Sequence, residues 1–273
     1  VSTAALSRRD WSPFTRYRRS LWLLTTRDLK VRYSTSFLGY LWSILDPLAM
    51  SAIYWFVFTQ VFHRGVGHEP YIVFLLSALL PWMWFTGAIS DCTRAFTREA
   101  KLIRSTTIPP TIWVARLVLA KGIEFVASIP VIAVFAVLTL WTANPAQLHL
   151  DALWSLLAIV LQLGLTLGIG LIVAPLVVFF RDLERAVKLV LRFAFYASPI
   201  IYGLRDLPTA PIDFHFWGAF NPLAGIFSLY RAAFFPAELD WFAVGISAVV
   251  TVLVLALGFW VFRRTIRTVL KEI

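Results

Sequence analysis

Six stretches of the chain are apolar at nearly every position and show no polar stripe: 37–62, 71–90, 111–141, 153–180, 187–202 and 241–262. A helix needs about 20 such residues to cross the hydrocarbon of a bilayer, so six crossings use roughly 120 positions. The pattern predicts an all-α integral membrane protein with six transmembrane helices. The fifth stretch is short and the segment after it is long. Between residues 20 and 33 the pattern changes to a helical stripe: Trp22, Leu29 and Tyr33 fall on one side, with Arg27 and Lys30 turned away. Such a helix lies along the membrane surface rather than across it. Asp28 and Arg32, four residues apart, are spaced to pair along it, and Trp22 and Tyr33 suit the headgroup zone. It reads either as a basic collar on anionic membrane lipids or as a lever lying beside a partner.

Composition narrows the class. Of 273 residues 59% are hydrophobic and 15% charged, too apolar for an ordinary soluble domain and without room for a separate soluble catalytic one. The net charge of +10 invites a nucleic-acid reading until the charges are located. Eight Lys and Arg precede the first run, and four more (Arg94, Arg98, Lys101, Arg104) follow the second. Arg181, Arg185, Lys188 and Arg192 flank the start of the fifth, while Arg263, Arg264, Arg267 and Lys271 follow the sixth. Basic residues resist crossing to the outer side, so these segments are expected in the cytoplasm. That places both termini there, makes the protein a multi-pass inner-membrane one, and leaves no nucleic-acid partner. Three regions follow: a cytoplasmic segment 1–36, a permease domain 37–262 and a basic tail 263–273. Segment 1–36 has no cleavable-signal pattern, and Ser7-Arg8-Arg9 stands too far from the first apolar run for a twin-arginine address.

Several positions carry more than topology. Asp46-Pro47 puts a carboxylate and a helix breaker inside the first run. The carboxylate must face protein or water, and the proline should bend the helix. Tyr40, Trp42, Tyr54 and Trp55, with Trp82, Trp84 and Phe85, crowd the first two runs as interface belts or as a path for sugar rings. The loop 94–108 (Arg94, Arg98, Glu99, Lys101, Arg104) predicts one short helix stopped by Pro109-Pro110, either an ordinary basic loop or a knob for a cytosolic partner. Segment 203–240 is apolar but broken by Pro211 and Pro222, and reads as re-entrant or interfacial helices on the outer side. Gly164 and Gly168 form a small-residue face for helix packing or a dimer seam. No lysine follows a glycine, so a Walker A loop is excluded and energy must come from elsewhere. His63, His68, His149 and His215 lack metal-ligand spacing, so no metal site is expected. Cys92, the sole cysteine, excludes an intrachain disulfide.

Arg27-Asp28-Leu29-Lys30-Val31-Arg32-Tyr33, then Leu38-Gly39-Tyr40-Leu41-Trp42 and Asp46-Pro47-Leu48, resembles the entry of the ABC-2 type permeases that export polysaccharides. Phe180-Arg181-Asp182-Leu183, Ser198-Pro199-Ile200-Ile201-Tyr202 and Asn221-Pro222-Leu223 agree in order. The sequence departs from the family at Asp46, where Asn is commoner. The resemblance implies a six-span permease that pairs with a second copy of itself and with two copies of a cytosolic ABC ATPase. The ATPase binds ATP and Mg; this chain holds no cofactor and is no enzyme. It further implies that 20–33 is an interfacial helix, 94–108 the coupling element and 203–240 a re-entrant cap on the exit. By position, Tyr40, Trp42, Tyr54 and Trp55 would meet a lipid-linked glycan. Rival readings are a drug or lipid permease of the same topology, a non-transporting scaffold of a glycan-assembly complex, and a membrane glycosyltransferase, which would need a carboxylate cluster. Twenty arginines against five lysines suggest a GC-rich genome, and so lean toward a cell-wall galactan or an O-antigen over teichoic acid.

Overall fold

The computed structural model describes residues 13–34, 39–57, 68–142, 144–204 and 214–273. Every regular element among them is helical. Four helices are long and apolar enough to cross a membrane: α3 (Tyr71–Cys92), α5 (Thr111–Leu138, prolonged by a 3-10 turn to Trp141), α6 (Trp154–Phe179) and α10 (Trp241–Glu272). They match the second, third, fourth and sixth apolar runs to within a few residues, except that α10 continues beyond residue 262 through the basic tail.

The first and fifth runs behave differently. The first forms α2 (Trp42–Trp55), entered by a 3-10 turn whose Gly39 has a φ of 51°, and positions 58–62 of the run lie outside the described residues. Pro47 sits inside α2 as expected, and the Ser51 hydroxyl donates to its carbonyl at 2.6 Å. The fifth forms α7 (Leu183–Ala197), which starts four residues early and stops five short of Tyr202. The cause is Pro199: the residue before a proline is driven out of the α region, and Ser198 is extended at φ −102°, ψ 146°. Residues 198–201 nonetheless stay buried. Buried Arg231 serves the freed backbone, donating to the carbonyls of Ile200 (2.8 Å) and Tyr202 (3.2 Å) while lying over the Phe74 ring.

α3 is the centre of the molecule, buried along most of its length and packed by α5, α6, α9, α2 and α7. Its aromatics Trp82, Trp84 and Phe85 are core rather than belt, and Trp84 Nε1 donates to the Val118 carbonyl at 3.0 Å. In lipid, helices gain little from burying apolar surface against one another, so close backbone approach matters. Gly164 and Gly168 of α6 supply it against α10: a Cβ on Gly168 would stand 2.8 Å from the Leu255 nitrogen. The small-residue face is therefore used within the chain. From segment 203–240, α8 (Phe214–Gly218) is short, whereas α9 (Pro222–Arg231) is buried from Leu223 to Arg231 beside α10, α6 and α3. Asn221 caps α9 by accepting from the Leu223 N–H at 3.0 Å and ties it to α7 by donating to the Ala197 carbonyl at 3.1 Å.

Candidate functional site

The N-terminal helix α1 (Pro13–Tyr33) is longer than the stripe predicted and packs along α5. Its docked face is Leu24, Thr25 and Leu29, so of the predicted stripe Leu29 is in the contact whereas Trp22 is 60% exposed. Tyr17 and Thr111 join their hydroxyls at 3.2 Å. The side chain of Tyr33 lies outside what is described, and Lys30 is exposed.

Around this docking sits a ring of charge. Asp28 receives Arg116 Nη1 on both carboxylate oxygens, at 2.5 and 2.6 Å. Glu99, at the start of α4 (Ala100–Ser105), receives Arg27 at 2.5 Å and lies 3.7 Å from Arg116. Arg32 donates to Asp91 at 2.5 Å and faces Glu124 at 3.4 Å, and Glu124 accepts from Lys121 at 2.6 Å. Arg94 and Lys188 both donate to Glu184, at the head of α7. Two expectations change here. Asp28 is taken by Arg116 and Arg32 by Asp91 and Glu124, in place of the pair expected along one helix; α5 crosses α1 and outcompetes the local spacing. Arg27, expected to turn away, reaches inward to Glu99 because the α4 segment passes beside it.

Burial pushes the Asp28 carboxyl above its ordinary value, against the pull of Arg116 and Arg27. Glu184, which precedes the fifth apolar run, is held down at about 2 by hydrogen bonds from Arg94 and Lys188. The same bond raises Arg94.

The ring borders two hollows that share Arg32. One, of about 550 Å³, is lined by Arg27, Asp28, Asp91, Arg94, Glu99 and Arg116. The other is a chamber of about 340 Å³ lined by Arg32, Trp42, Asp46, Pro47, Lys121 and Glu124. Asp46 thus faces a polar space, as a carboxylate in an apolar run must. α4 forms where the prolines predict it, and Arg98, Lys101 and Arg104 stand exposed on and beside it.

Of the predicted sugar-path aromatics, Trp42 lines the chamber, and Tyr54 stacks on Phe195 of α7 at 5.6 Å. The side chains of Tyr40 and Trp55 lie outside what is described. The residues that sequence reasoning missed are Arg116, Lys121 and Glu124, together with Asp91 and Glu184. Three ionisable groups inside the third apolar run were a signal in themselves, since lipid would not tolerate them.

Compared with known proteins, residues 19–235 match the profile of the ABC-2 type transporter family. The O-antigen export system permease protein RfbA of Klebsiella pneumoniae is 33% identical over 243 residues, covering 89% of this chain and 90% of the relative. Its namesake in Myxococcus xanthus is 29% identical over 82% of this chain and 83% of the relative. The polysialic acid transport protein KpsM of Escherichia coli is 26% identical over 88% and 91%.

Proposed function

The chain belongs to the ABC-2 type transporter family, and from that premise we propose that it is the membrane subunit of an exporter driven by a separate ATPase. Its cargo is a lipid-linked polysaccharide, carried from the cytoplasmic to the outer side of the inner membrane. The names of its relatives support that cargo class: O-antigen in one group, polysialic acid in the other. In this reading α2 and α7 are the two shorter spans that complete six, both termini face the cytoplasm, α8 and α9 form a re-entrant cap, and a second copy of the chain completes the conduit. The chain catalyses nothing itself. Two copies of the ATPase bind ATP and Mg.

The observation that carries the coupling role is the ionic ring. α1, the end of α3 and the turn after it, the start of α4, α5 and the head of α7 meet through Arg27, Asp28, Arg32, Asp91, Arg94, Glu99, Arg116 and Glu184. A push on α4 therefore reaches a span through Glu99 and Arg116, without relying on a flexible loop. Lys101 and Arg104 are exposed outside that ring, Arg98 is exposed at the edge of the larger hollow, and these three are the groups left to engage an acidic groove on the ATPase. Nucleotide-driven closure of the ATPase pair moves α4 and α1 together, and the spans part to admit the glycan while its lipid stays in the bilayer.

The test replaces Arg98, Lys101 and Arg104 by alanine together. Removing three exposed charges should weaken ATPase association by about tenfold or more and leave lipid-linked polymer stranded on the inner leaflet, while the permease itself stays folded. Unchanged association and unchanged export would remove the coupling role. Stranded polymer of a different lipid class would correct the cargo.

A further inference from the structure

Two cavities meet at one side chain. The inner chamber of about 340 Å³ ends against Phe125, and on the other side of that ring begins a groove of about 500 Å³ between the outer halves of α5 and α6, beside α9. Their chemistries differ. Arg32 and Lys121 face Asp46 and Glu124 in the chamber, whereas Ile129, Ile132, Ala136, Ile159 and Phe234 make the groove almost wholly hydrocarbon. A polar compartment set end to end with an apolar one has the outline of an amphiphile, and the groove opens past Ile129 and Val137, both exposed.

Two buried polar atoms flank Phe125 without a hydrogen-bond partner. Glu124 Oε1, on the chamber side, has only its ionic contact with Arg32 at 3.4 Å. Tyr230 Oη is on the groove side, its residue 7% exposed and its ring set edge-on to Phe125 at 5.5 Å. Unmade hydrogen bonds at this depth are costly, and each of these atoms belongs to a residue that lines one of the two cavities.

We infer that chamber and groove together hold one phospholipid whose head carries a phosphate and a primary ammonium. The phosphate lies on Lys121 and Arg32, and the ammonium on Asp46 and Glu124 Oε1. An ester carbonyl accepts from Tyr230 Oη, one acyl chain fills the groove, and the second chain stays in the bilayer. Charge selects this head. The chamber's two cations and two carboxylates cancel, so a purely anionic head would leave both carboxylates facing it unmatched. A quaternary ammonium would bring no N–H for Glu124. The head lies on the α1 side of Phe125 and the acyl chain on the α9 side, and the site shares Trp42 with the glycan path expected from the sequence.

The full chain is reconstituted in vesicles of equal parts phosphatidylethanolamine, phosphatidylcholine and phosphatidylglycerol, re-extracted, and weighed with retained lipid by native mass spectrometry. Phosphatidylethanolamine should be retained about tenfold over each of the others, the worth of one charge-assisted hydrogen bond. Glu124→Gln leaves the chamber with one net positive charge and should abolish the preference for phosphatidylethanolamine over phosphatidylglycerol. Ala136→Phe, which fills the groove and touches no charge, should lose all three while thermal unfolding stays normal. Equal retention of phosphatidylglycerol by the unaltered chain, or undiminished retention by Ala136→Phe, overturns the inference. Loss of export without change in retained lipid would bear only on the transport proposal.

Discussion

Arg116 is 2% exposed on the first half of α5, and a guanidinium cannot shed its proton to relieve that burial. It persists because Asp28 gives it both oxygens. The arrangement is reciprocal, since Asp28 is itself raised by desolvation and relies on Arg116 and Arg27 to stay ionised. Removing one partner should therefore hurt more than removing both. Arg116→Met should cost about 3–5 kcal/mol, and adding Asp28→Asn should recover most of it. Thermal unfolding of the two variants in detergent reads this, and equal losses in single and double variant would show that the charges are not coupled. The two carboxylates have opposite pH signatures. A raised Asp28 contributes stability only below its unfolded value of 3.8 and loses it as pH climbs through the folded value. Glu184, lowered to about 2 from 4.5, contributes above 4.5 and loses that only as pH falls through about 2. Its clamp is largely exposed, so the stability at stake is small, but the charge state is readable. Isotope-edited infrared spectra should show the Glu184 carboxylate persisting near about pH 3, and losing its charge there once Arg94 is replaced by alanine.

At the scale of elements, α6 and α10 test whether close backbone approach holds the spans together. A Cβ on Gly168 would meet the Leu255 nitrogen at 2.8 Å, whereas one on Gly245, in the same α10, would meet nothing within 4 Å. Gly168→Val should cost about 1–3 kcal/mol or more, and Gly245→Val should be silent, as judged by unfolding temperature and resistance to denaturing detergent. These long helices were legible because length and apolarity alone decide a crossing. α7 was half legible. Ser198-Pro199 announces its end, but Ile200 and Ile201 are apolar because they are buried in a turn, and an apolar count cannot tell that from helix. The ring was legible only in part. Arg27, Asp28, Arg94 and Glu99 stood out as charges near an interface, but the partner of Asp28 lies 88 residues away inside an apolar run. Local spacing proposed Asp28 with Arg32 because spacing knows nothing of α5. The cavities left no pattern at all, since each draws its lining from several helices.

For the molecule as a whole, one of the uncovered apolar faces is distinguished by its charge. α2 and α7 touch through Tyr54 and Phe195, and beyond that contact Met50 and Ile53 of α2 stand exposed beside Leu189, Phe193 and Tyr196 of α7. On α7 these apolar groups share a short helix with Arg185, Lys188 and Arg192, all exposed. A helix carrying cations on successive turns is a poor neighbour for lipid on every side, which makes protein or water the better cover for this surface. The conduit proposed above needs a second copy, and this is the face that suits it. The chain's single cysteine, Cys92, is buried, so Cys92→Ser provides a clean background for cross-linking. In that background Phe193→Cys should form a species of twice the subunit mass in native membranes, and Val249→Cys, equally exposed but on α10, should not. If the α10 position cross-links as readily, the copies meet elsewhere or only by collision. If Phe193→Cys cross-links and its disulfide halts export until it is reduced, the two α7 helices have to move apart for cargo to pass.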